Sequence, residues 1–176
     1  TSLNSIIIHS GVKMMGVPFK ECANLDCLEI YQNSFKNWIE SPFKEIGSNC
    51  NILLKLGDSL TLLPDFLFLG FDSIHLDSNC FGKNIQKLKY SNFKDCDLYL
   101  PDGILTINEC VDEIDSELLD RIQNLDNINV NDDNSYYYFK NNALYNIDTS
   151  SLEYVIRSTS GSFTIDRDTL SVGIYS

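Results

Sequence analysis

Apolar residues recur along this chain with a fixed spacing of 3, 5 and 3 positions. Four segments show the spacing: Phe35, Trp38, Phe43 and Ile46; Leu60, Leu63, Phe68 and Phe71; Ile85, Leu88, Phe93 and Cys96; Val111, Ile114, Leu119 and Ile122. A fifth, Val12, Met15, Phe19 and Cys22, is one residue shorter in the middle. The chain is therefore predicted to consist of internal repeats.

A pair of aliphatic residues two positions apart precedes most copies of this spacing. The pairs are Ile6/Ile8, Leu28/Ile30, Leu54/Leu56, Ile74/Leu76, Leu98/Leu100 and Ile128/Val130. Alternate residues of a strand point to the same side. A short strand followed by a loop or a helical turn, repeated at intervals of about 20 to 35 residues, predicts a solenoid whose strands stack into a parallel sheet.

The repeated positions also predict the core. Four copies carry Phe at the third position (Phe19, Phe43, Phe68 and Phe93), and these rings are expected to stack as a buried aromatic spine. Cys22 and Cys96 occupy the last position, where other copies have Ile or Phe, and a buried cysteine behaves as a small hydrophobe.

The repeats resemble the BspA-like leucine-rich repeat of bacterial and protist surface proteins, whose pattern is close to L-x-x-I-x-I-P-x-x-V-x-x-I-G-x-x-A-F-x-x-C. Residues 2–25, 56–71, 85–96 and 98–104 carry the likeness, which covers nearly the whole chain. The resemblance implies an α/β solenoid: a leucine-rich repeat with a short-stranded parallel sheet, and with loops or short helical turns on the convex side. One such turn is expected from Asp115, as N-cap, to Leu125, where apolar residues follow a helical spacing.

The rhythm is interrupted between Asn131 and Ser162, and four aromatic residues follow one another from Tyr136 to Phe139. The segment predicts two strands around a turn at Asp148–Ser151. It is similar to the hairpin island of BspA-like arrays, x-G-V-L-Y-x-x-D-x-x-x-L, which Ala143-Leu-Tyr-Asn-Ile-Asp148 and Leu152 match. We therefore expect leucine-rich repeat coils over residues 1–130, a β-hairpin island over 131–162, and the start of a further, truncated repeat over 163–176, with a strand at Phe163–Asp166.

Neither end of the sequence shows the polar cap that closes most solenoids. The sequence therefore predicts that this chain is a piece of a longer protein, or that a partner covers its ends.

Composition narrows the function classes. The 176 residues are 43% hydrophobic, which is enough for a sizeable core, and the net charge of −12 with a pI near 4.4 disfavours nucleic acid and anionic membranes as partners. The one basic cluster (Lys83, Lys87, Lys89 and Lys94) is interrupted by apolar repeat positions and predicts a solvated convex face. No apolar run is long enough to span a membrane.

Six cysteines are present without a CxxC or a Cys/His spacing, so no zinc site is predicted. A disulfide between adjoining coils, for example Cys22 to Cys50, is left open. The stretch Asp126–Asn134 is rich in oxygen ligands of the kind that calcium takes, but a strand with polar outward residues explains it as well. We expect no cofactor.

The sequence contains no catalytic motif. The two histidines, His9 and His75, lie at or beside equivalent strand positions of different coils, with no nucleophile motif nearby. The chain is therefore predicted not to be an enzyme.

Function is expected to reside on the outward side of the strands and on the hairpin tyrosines. The candidate partner-binding residues are His9, Glu29, Tyr31, Lys55, His75, Tyr99, Tyr136, Tyr137 and Tyr138, with Asn4 and Ile7 beside them. The resemblance implies a protein partner and adhesion at the cell surface or outside the cell. An intracellular scaffold, embedded in a large assembly, is the alternative.

Overall fold

The computed structural model describes residues 3–31, 35, 38, 40–46 and 51–173, with the side chains of the third strand from residue 52 onward. The fold is a parallel β-solenoid of about seven turns with little helix, which confirms the predicted fold class. The strands are β1 (Ser5–Ile8), β2 (Cys27–Ile30), β3 (Asn51–Leu56), β4 (Ser73–Leu76), β5 (Lys87–Leu88), β6 (Asp97–Tyr99), β7 (Ile104–Ile107), β8 (Glu113–Ile114), β9 (Asn127–Val130), β10 (Tyr137–Lys140), β11 (Ala143–Asn146), β12 (Ser151–Val155) and β13 (Ser171–Val172). The helix α1 spans Ser116–Arg121, and a 3-10 turn spans Tyr90–Phe93.

Equivalent strands of successive coils stack side by side. One five-stranded parallel sheet has the order β1-β2-β3-β4-β6, and a parallel bridge from Leu98 to Ile122 extends it by one coil. Two further parallel pairs, β5 with β8 and β7 with β9, form separate two-stranded sheets. Backbone hydrogen bonds thus run from coil to coil.

The repeat spacing marks the core as predicted. The aliphatic pairs of the first sheet point inward, with Leu28, Ile30 and Ile74 fully buried. In each group of four apolar residues with this spacing, the first two lie in the extended segment after the sheet strand. The last two lie in the turn that follows that segment. The first copy is an exception: Met15 is 84% exposed, and Met14 packs against the core instead. That copy is one residue shorter between its second and third positions. Met14, and not Met15, therefore lies five residues before Phe19, where the other copies have their second apolar residue.

The phenylalanine spine forms, with one change of partner. Phe19 stacks on Phe43 with 5.4 Å between ring centroids, and Phe68 stacks on Phe93 at 4.8 Å. Phe43 meets Phe71, at 5.3 Å, where a regular spine would continue to Phe68. These rings therefore pack the core and are not a ligand surface.

Asparagines at one corner of the solenoid join the coils in a row that sequence reasoning missed. The side-chain amide of Asn84 donates to the carbonyl of Asp58 (2.5 Å), that of Asn108 to Gly82 (2.9 Å), and that of Asn134 to Asn108 (2.6 Å). Each amide donates to a carbonyl of the preceding coil. The carbonyls of Gly82 and Asn108 also accept a backbone N–H of their own turn, from Ile85 and Val111. The corner is therefore held by side chains as well as by the sheet ladder.

The helical turn predicted at Asp115 is confirmed, but it is shorter and capped differently. The helix α1 ends at Arg121, and Asp115 occupies the N-cap position without a side-chain cap hydrogen bond. Its Oδ2 accepts instead from the backbone N–H of Tyr90 in the preceding coil, at 2.9 Å. The Asp115 carboxylate thus links two neighbouring coils and does not cap the helix.

Coils approach one another closely at Gly70. Its φ is +112°, and a Cβ built there would lie 2.1 Å from the carbonyl oxygen of Phe43. Only glycine combines that backbone conformation with that approach.

The interruption after β9 is a β-sheet of three antiparallel strands, one more than predicted. β10 and β11 flank a two-residue turn at Asn141 and Asn142, whose φ angles of 53° and 61° are those of a type I′ turn. The predicted turn near Asp148–Ser151 joins β11 to β12. The short strand β13 then pairs in parallel with β12, whereas residues 163–166, expected to be a strand, are not one.

One face of this hairpin sheet closes the end of the solenoid core. Tyr137, Leu144, Tyr154 and Ile156 belong to the same buried cluster as the repeat positions. The other face, with Ala143, Tyr145 and Leu152, forms a small cluster of its own under Phe163. The hairpin sheet therefore covers the coil that contains β9 with an apolar inner face.

Two predictions about cysteine have different outcomes. Cys96 is fully buried at its repeat position, and burial raises the pKa of its thiol to about 12, whereas Cys22, at the same position of the first copy, is only half-buried. The disulfide considered between Cys22 and Cys50 involves a residue outside those described.

Candidate functional site

The outward-pointing residues of the five-stranded sheet form one continuous surface, here called the outer sheet face. Strand register decides which of them are neighbours, because in-register parallel strands place equivalent side chains side by side. One row contains Ser5, Cys27, Leu53, His75 and Tyr99; the next contains Ile7, Glu29 and Lys55, with His9, Tyr31 and Asp77 following the strands.

The first row carries an aromatic and apolar strip. His75 and Tyr99 stack almost in parallel, with 4.7 Å between ring centroids and 10° between ring planes. Leu53 lies beside His75 in register and is 38% exposed. Three adjacent strands therefore present a strip of Leu53, His75 and Tyr99 on a backbone fixed by ladder hydrogen bonds.

Glu29 is the centre of a polar network in the second row. The hydroxyl of Tyr31 donates to Glu29 Oε2 at 2.8 Å, and this bond raises the pKa of Tyr31. Lys55 Nζ lies 3.6 Å from Glu29 Oε1. The carboxylates of Asp77 and Glu29 together raise the pKa of Lys55. The one ammonium group of this row thus interacts with two carboxylates, and the row keeps a net negative charge.

A second ring pair lies at the carboxyl end of the first two strands. His9 and Tyr31 stack with centroids 6.1 Å apart, and both side chains are exposed. Ile7, half exposed, lies in the row of Glu29, two residues before His9.

The structure brings together six of the nine predicted contact residues: His9, Glu29, Tyr31, Lys55, His75 and Tyr99. Asn4 lies just before β1, and its side chain is exposed. Sequence reasoning missed Leu53, Cys27 and Asp77. The signal for Leu53 was present, because Leu54 and Leu56 point inward and the residue between two inward neighbours must point outward.

The three hairpin tyrosines have different environments. Tyr137 is 4% exposed, its hydroxyl accepts a hydrogen bond from the N–H of Ile114 (3.1 Å), and burial raises its pKa to about 12. Its assignment as a contact residue is therefore corrected: Tyr137 belongs to the core. Tyr138 is half-buried and stacks on Tyr145 at 4.9 Å, and Tyr136 packs against the solenoid core.

The basic cluster is paired with acidic neighbours. Lys87 and Lys89 both contact Glu113, at 2.5 and 3.1 Å, and Lys83 contacts Asp58 at 3.2 Å. Hydrogen bonds from Lys87 and Lys89 lower the pKa of Glu113. Lys94 lies over the ring of Phe66. These lysines are solvated, as the sequence predicted, and their ion pairs are a feature that the sequence did not predict.

The part of the chain that the structure describes has neither a metal-binding cluster nor a membrane-spanning helix. No group of three or more His, Cys, Asp and Glu side chains is arranged to hold a metal ion there. The predicted strand does occupy part of the Asp126–Asn134 stretch, as β9. Within the same residues, no helix has the length and apolar character needed to cross a bilayer.

The comparison with solved structures identifies the fold. A leucine-rich repeat protein from Eubacterium ventriosum has a similar structure, with a TM-score of 0.65 and 20% sequence identity. The likeness covers 97% of this chain and 43% of that protein, so the chain spans less than half of its length. No family model and no curated relative matches the chain. The likeness shows a leucine-rich repeat fold, which commonly binds proteins.

Proposed function

We propose that this chain is a non-enzymatic protein-interaction module that binds a protein partner through its outer sheet face. The observation that supports this most directly is the strip of Leu53, His75 and Tyr99. Large apolar and aromatic side chains on a polar, strongly acidic chain mark interaction surfaces.

The rigidity of the strip favours tight recognition. Its side chains stand on three strands of a parallel ladder, and the rings of His75 and Tyr99 already stack on each other. Binding therefore costs little ordering of side chains, and preorganised aromatic residues commonly supply most of the affinity. The charged side chains around Glu29 would form a polar rim beside the strip.

The setting we propose is a cell surface or the extracellular space, as in BspA-like adhesion proteins. The match of Ala143–Asp148 and Leu152 to the hairpin island of those proteins supports this choice. The second candidate is an intracellular scaffold subunit. The large exposure of Met15 and Leu170, both 84%, favours this alternative, because an assembly would cover them.

The test combines affinity capture from the native cells with variants of the strip. Tyr99→Ser with His75→Ser removes the ring pair, and Leu62→Ser, on the segment that follows β3, is the control because Leu62 is 48% exposed and lies off the outer sheet face. We expect a partner that the control retains and that the double variant loses by about ten-fold or more, since a central aromatic anchor is worth ~2 kcal/mol or more.

The fold of the double variant is checked by circular dichroism and by its unfolding midpoint. A partner that binds the folded double variant as well as the control would refute the outer sheet face as the site. Surface labelling of the cells before capture separates the two settings: recovery in the labelled fraction supports adhesion, and stoichiometric recovery in an internal assembly supports the scaffold.

A further inference from the structure

The last strand of the solenoid and the first strand of the hairpin sheet line one groove, here called the edge groove. Residues 127–132 of β9 and its following turn form one wall, and Tyr137, Tyr138, Phe139 and Ile147 form the other. The two walls belong to different sheets, since β9 pairs with β7 and β10 pairs with β11. The groove therefore lies where one sheet stops and the next begins.

The outer edge of β9 has backbone groups available for pairing. The N–H of Asn127 donates to the carbonyl of Gly103 (3.2 Å), and that of Asn131 to Ile107 (2.9 Å). In a parallel pair the residues that bond the neighbour alternate. Ile128 and Val130 therefore direct their N–H and C=O groups away from β7. The N–H of Ile128 is bonded by Asn127 Oδ1 at 2.9 Å, and no partner is found among the described residues for the N–H of Val130.

The outer edge of β10 is similar. The N–H of Ile147 donates to the carbonyl of Tyr136 (2.7 Å), and the two-residue turn sets the pairs of β10 with β11. Because hydrogen-bonded and non-hydrogen-bonded pairs alternate along the hairpin, the backbone N–H and C=O groups of Tyr137 and Phe139 point away from β11. The N–H of Tyr137 is bonded by Asn134 Oδ1 at 2.9 Å. The outward N–H of Phe139, like that of Val130, has no partner within the described part of the chain.

Two open strand edges along one groove are the arrangement that an added strand uses. Open edges usually pair with something, or are blocked by proline, charge or a bulge, because they otherwise aggregate. Neither β9 nor β10 contains proline. Ile147, 45% exposed on the hairpin wall, supplies an apolar contact for alternate side chains of an extended segment.

The charge of the groove selects the kind of segment. Asp132 lines the groove, Asp133 follows it, and no Lys or Arg is among the lining residues. The whole chain carries a net charge of −12. An extended segment with Lys or Arg at some of its positions would be attracted, and an acidic one would be repelled.

We propose that the edge groove binds an extended, basic segment of a partner protein, which adds as a β-strand to β9. This site is separate from the outer sheet face. The backbone ladder would supply affinity, and Asp132 with Ile147 would supply selectivity.

The experiment selects peptides of about ten residues, the length of a long strand, from a random display library against the intact chain. The same library is counter-selected against Val130→Pro. Proline removes the outward N–H of residue 130 and leaves the ladder to β7 intact, so the variant is expected to fold. Ile147→Ser tests the apolar wall, with Leu62→Ser as a control of equal exposure elsewhere.

We expect selected peptides to be rich in Lys and Arg, and to bind Val130→Pro about five- to ten-fold more weakly, as expected for one lost backbone hydrogen bond. Methylation of alternate amides of the peptide should weaken binding when it blocks the edge facing β9. Hydrogen exchange should show the amide of Val130 protected by the peptide. That readout does not depend on the folding of any variant.

Four results would overturn the proposal. Selection could yield no peptide that distinguishes the intact chain from Val130→Pro. Bound peptides could leave the Val130 amide unprotected and tolerate every methylation. Sedimentation could show that β9 pairs with a second copy of the chain, with Val130→Pro abolishing the dimer. Loss of peptide binding in the Tyr99→Ser and His75→Ser variant would place the site on the outer sheet face instead.

Discussion

Asn134 is the residue on which the join between solenoid and hairpin depends most. Its Oδ1 accepts from the N–H groups of Tyr136 and Tyr137, each at 2.9 Å. Its Nδ2 donates to the carbonyls of Asn108 (2.6 Å) and Val111 (3.0 Å). The side chain is 7% exposed. One amide thus satisfies four buried or half-buried backbone groups, which is why neither an apolar nor a charged residue can replace it without loss.

Replacing this amide should be costly. We expect Asn134→Ala to lower the free energy of unfolding by ~2–4 kcal/mol, because buried donors and acceptors are left without partners. Urea unfolding followed by circular dichroism measures the loss. Asn129→Ala, an exposed asparagine on β9, is the matched control and should change stability by less than ~0.5 kcal/mol. Equal effects of the two substitutions would show that the four hydrogen bonds contribute little.

Residue-scale patterns also decide how much of the site could be predicted. The inward positions follow from the two-residue period of a strand and from the repeated spacing, so most of the core was predicted from sequence. The neighbours on the outer sheet face depend on register, which is set by loops of differing length between the strands. The sequence could therefore predict that His75 and Tyr99 lie on this face, but it could not predict that they are neighbours. Leu53 was overlooked because it stands in an unbroken run of apolar residues, where alternation is not visible.

At the scale of elements, the hairpin sheet was predicted in outline and not in detail. The run Tyr136–Phe139 has no alternation of apolar and polar residues, so β10 and its face were hidden. The Asn141-Asn142 turn was a usable signal, since asparagine tolerates the positive φ of a type I′ turn. The inner face of the sheet covers the solenoid core. This contact depends on tertiary packing, which the local sequence does not show.

The contact between hairpin and last coil predicts a pH dependence. The pKa of Tyr137 is raised from 10.0 to about 12, mainly by burial, so its neutral form is favoured in the folded state. Below pH 10 this contribution is complete. Between pH 10 and 12 the unfolded chain releases the proton and the folded chain keeps it, so stability falls as pH rises, by at most ~2–3 kcal/mol in total.

Urea unfolding from pH 9 to pH 11.5 tests this expectation in the intact chain and in Tyr137→Phe. The variant loses the hydrogen bond to the N–H of Ile114, so it should be less stable at pH 9. It should also lose less stability on going to pH 11.5, which a merely weakened hairpin would not explain. Parallel curves for the two proteins would contradict the burial of a neutral Tyr137.

At the scale of the whole molecule, a solenoid has contacts only between neighbouring coils, so its stability varies along its length. The hydrogen bonds that follow β2, β3 and β4 offer an internal comparison. The N–H of Tyr31 donates to Ile8, that of Gly57 to Ile30, and that of Asp77 to Leu54, all at 2.8 Å. Geometry is thus matched, and only the position in the stack differs.

Native-state hydrogen exchange should therefore rank these three amides by position. Among the described residues β1 pairs only with β2, and the first coil exposes Met15, so opening of this coil frees Tyr31, whereas Asp77 requires several coils to open together. After correction for intrinsic rates, we expect Tyr31 to exchange at least about ten-fold faster than Asp77, with Gly57 between them. Ile8→Ala removes a buried side chain of the first coil and should accelerate Tyr31 with little change at Asp77. Equal protection of all three amides, and an equal response to Ile8→Ala, would mean that the molecule unfolds as one cooperative unit in spite of its linear contacts.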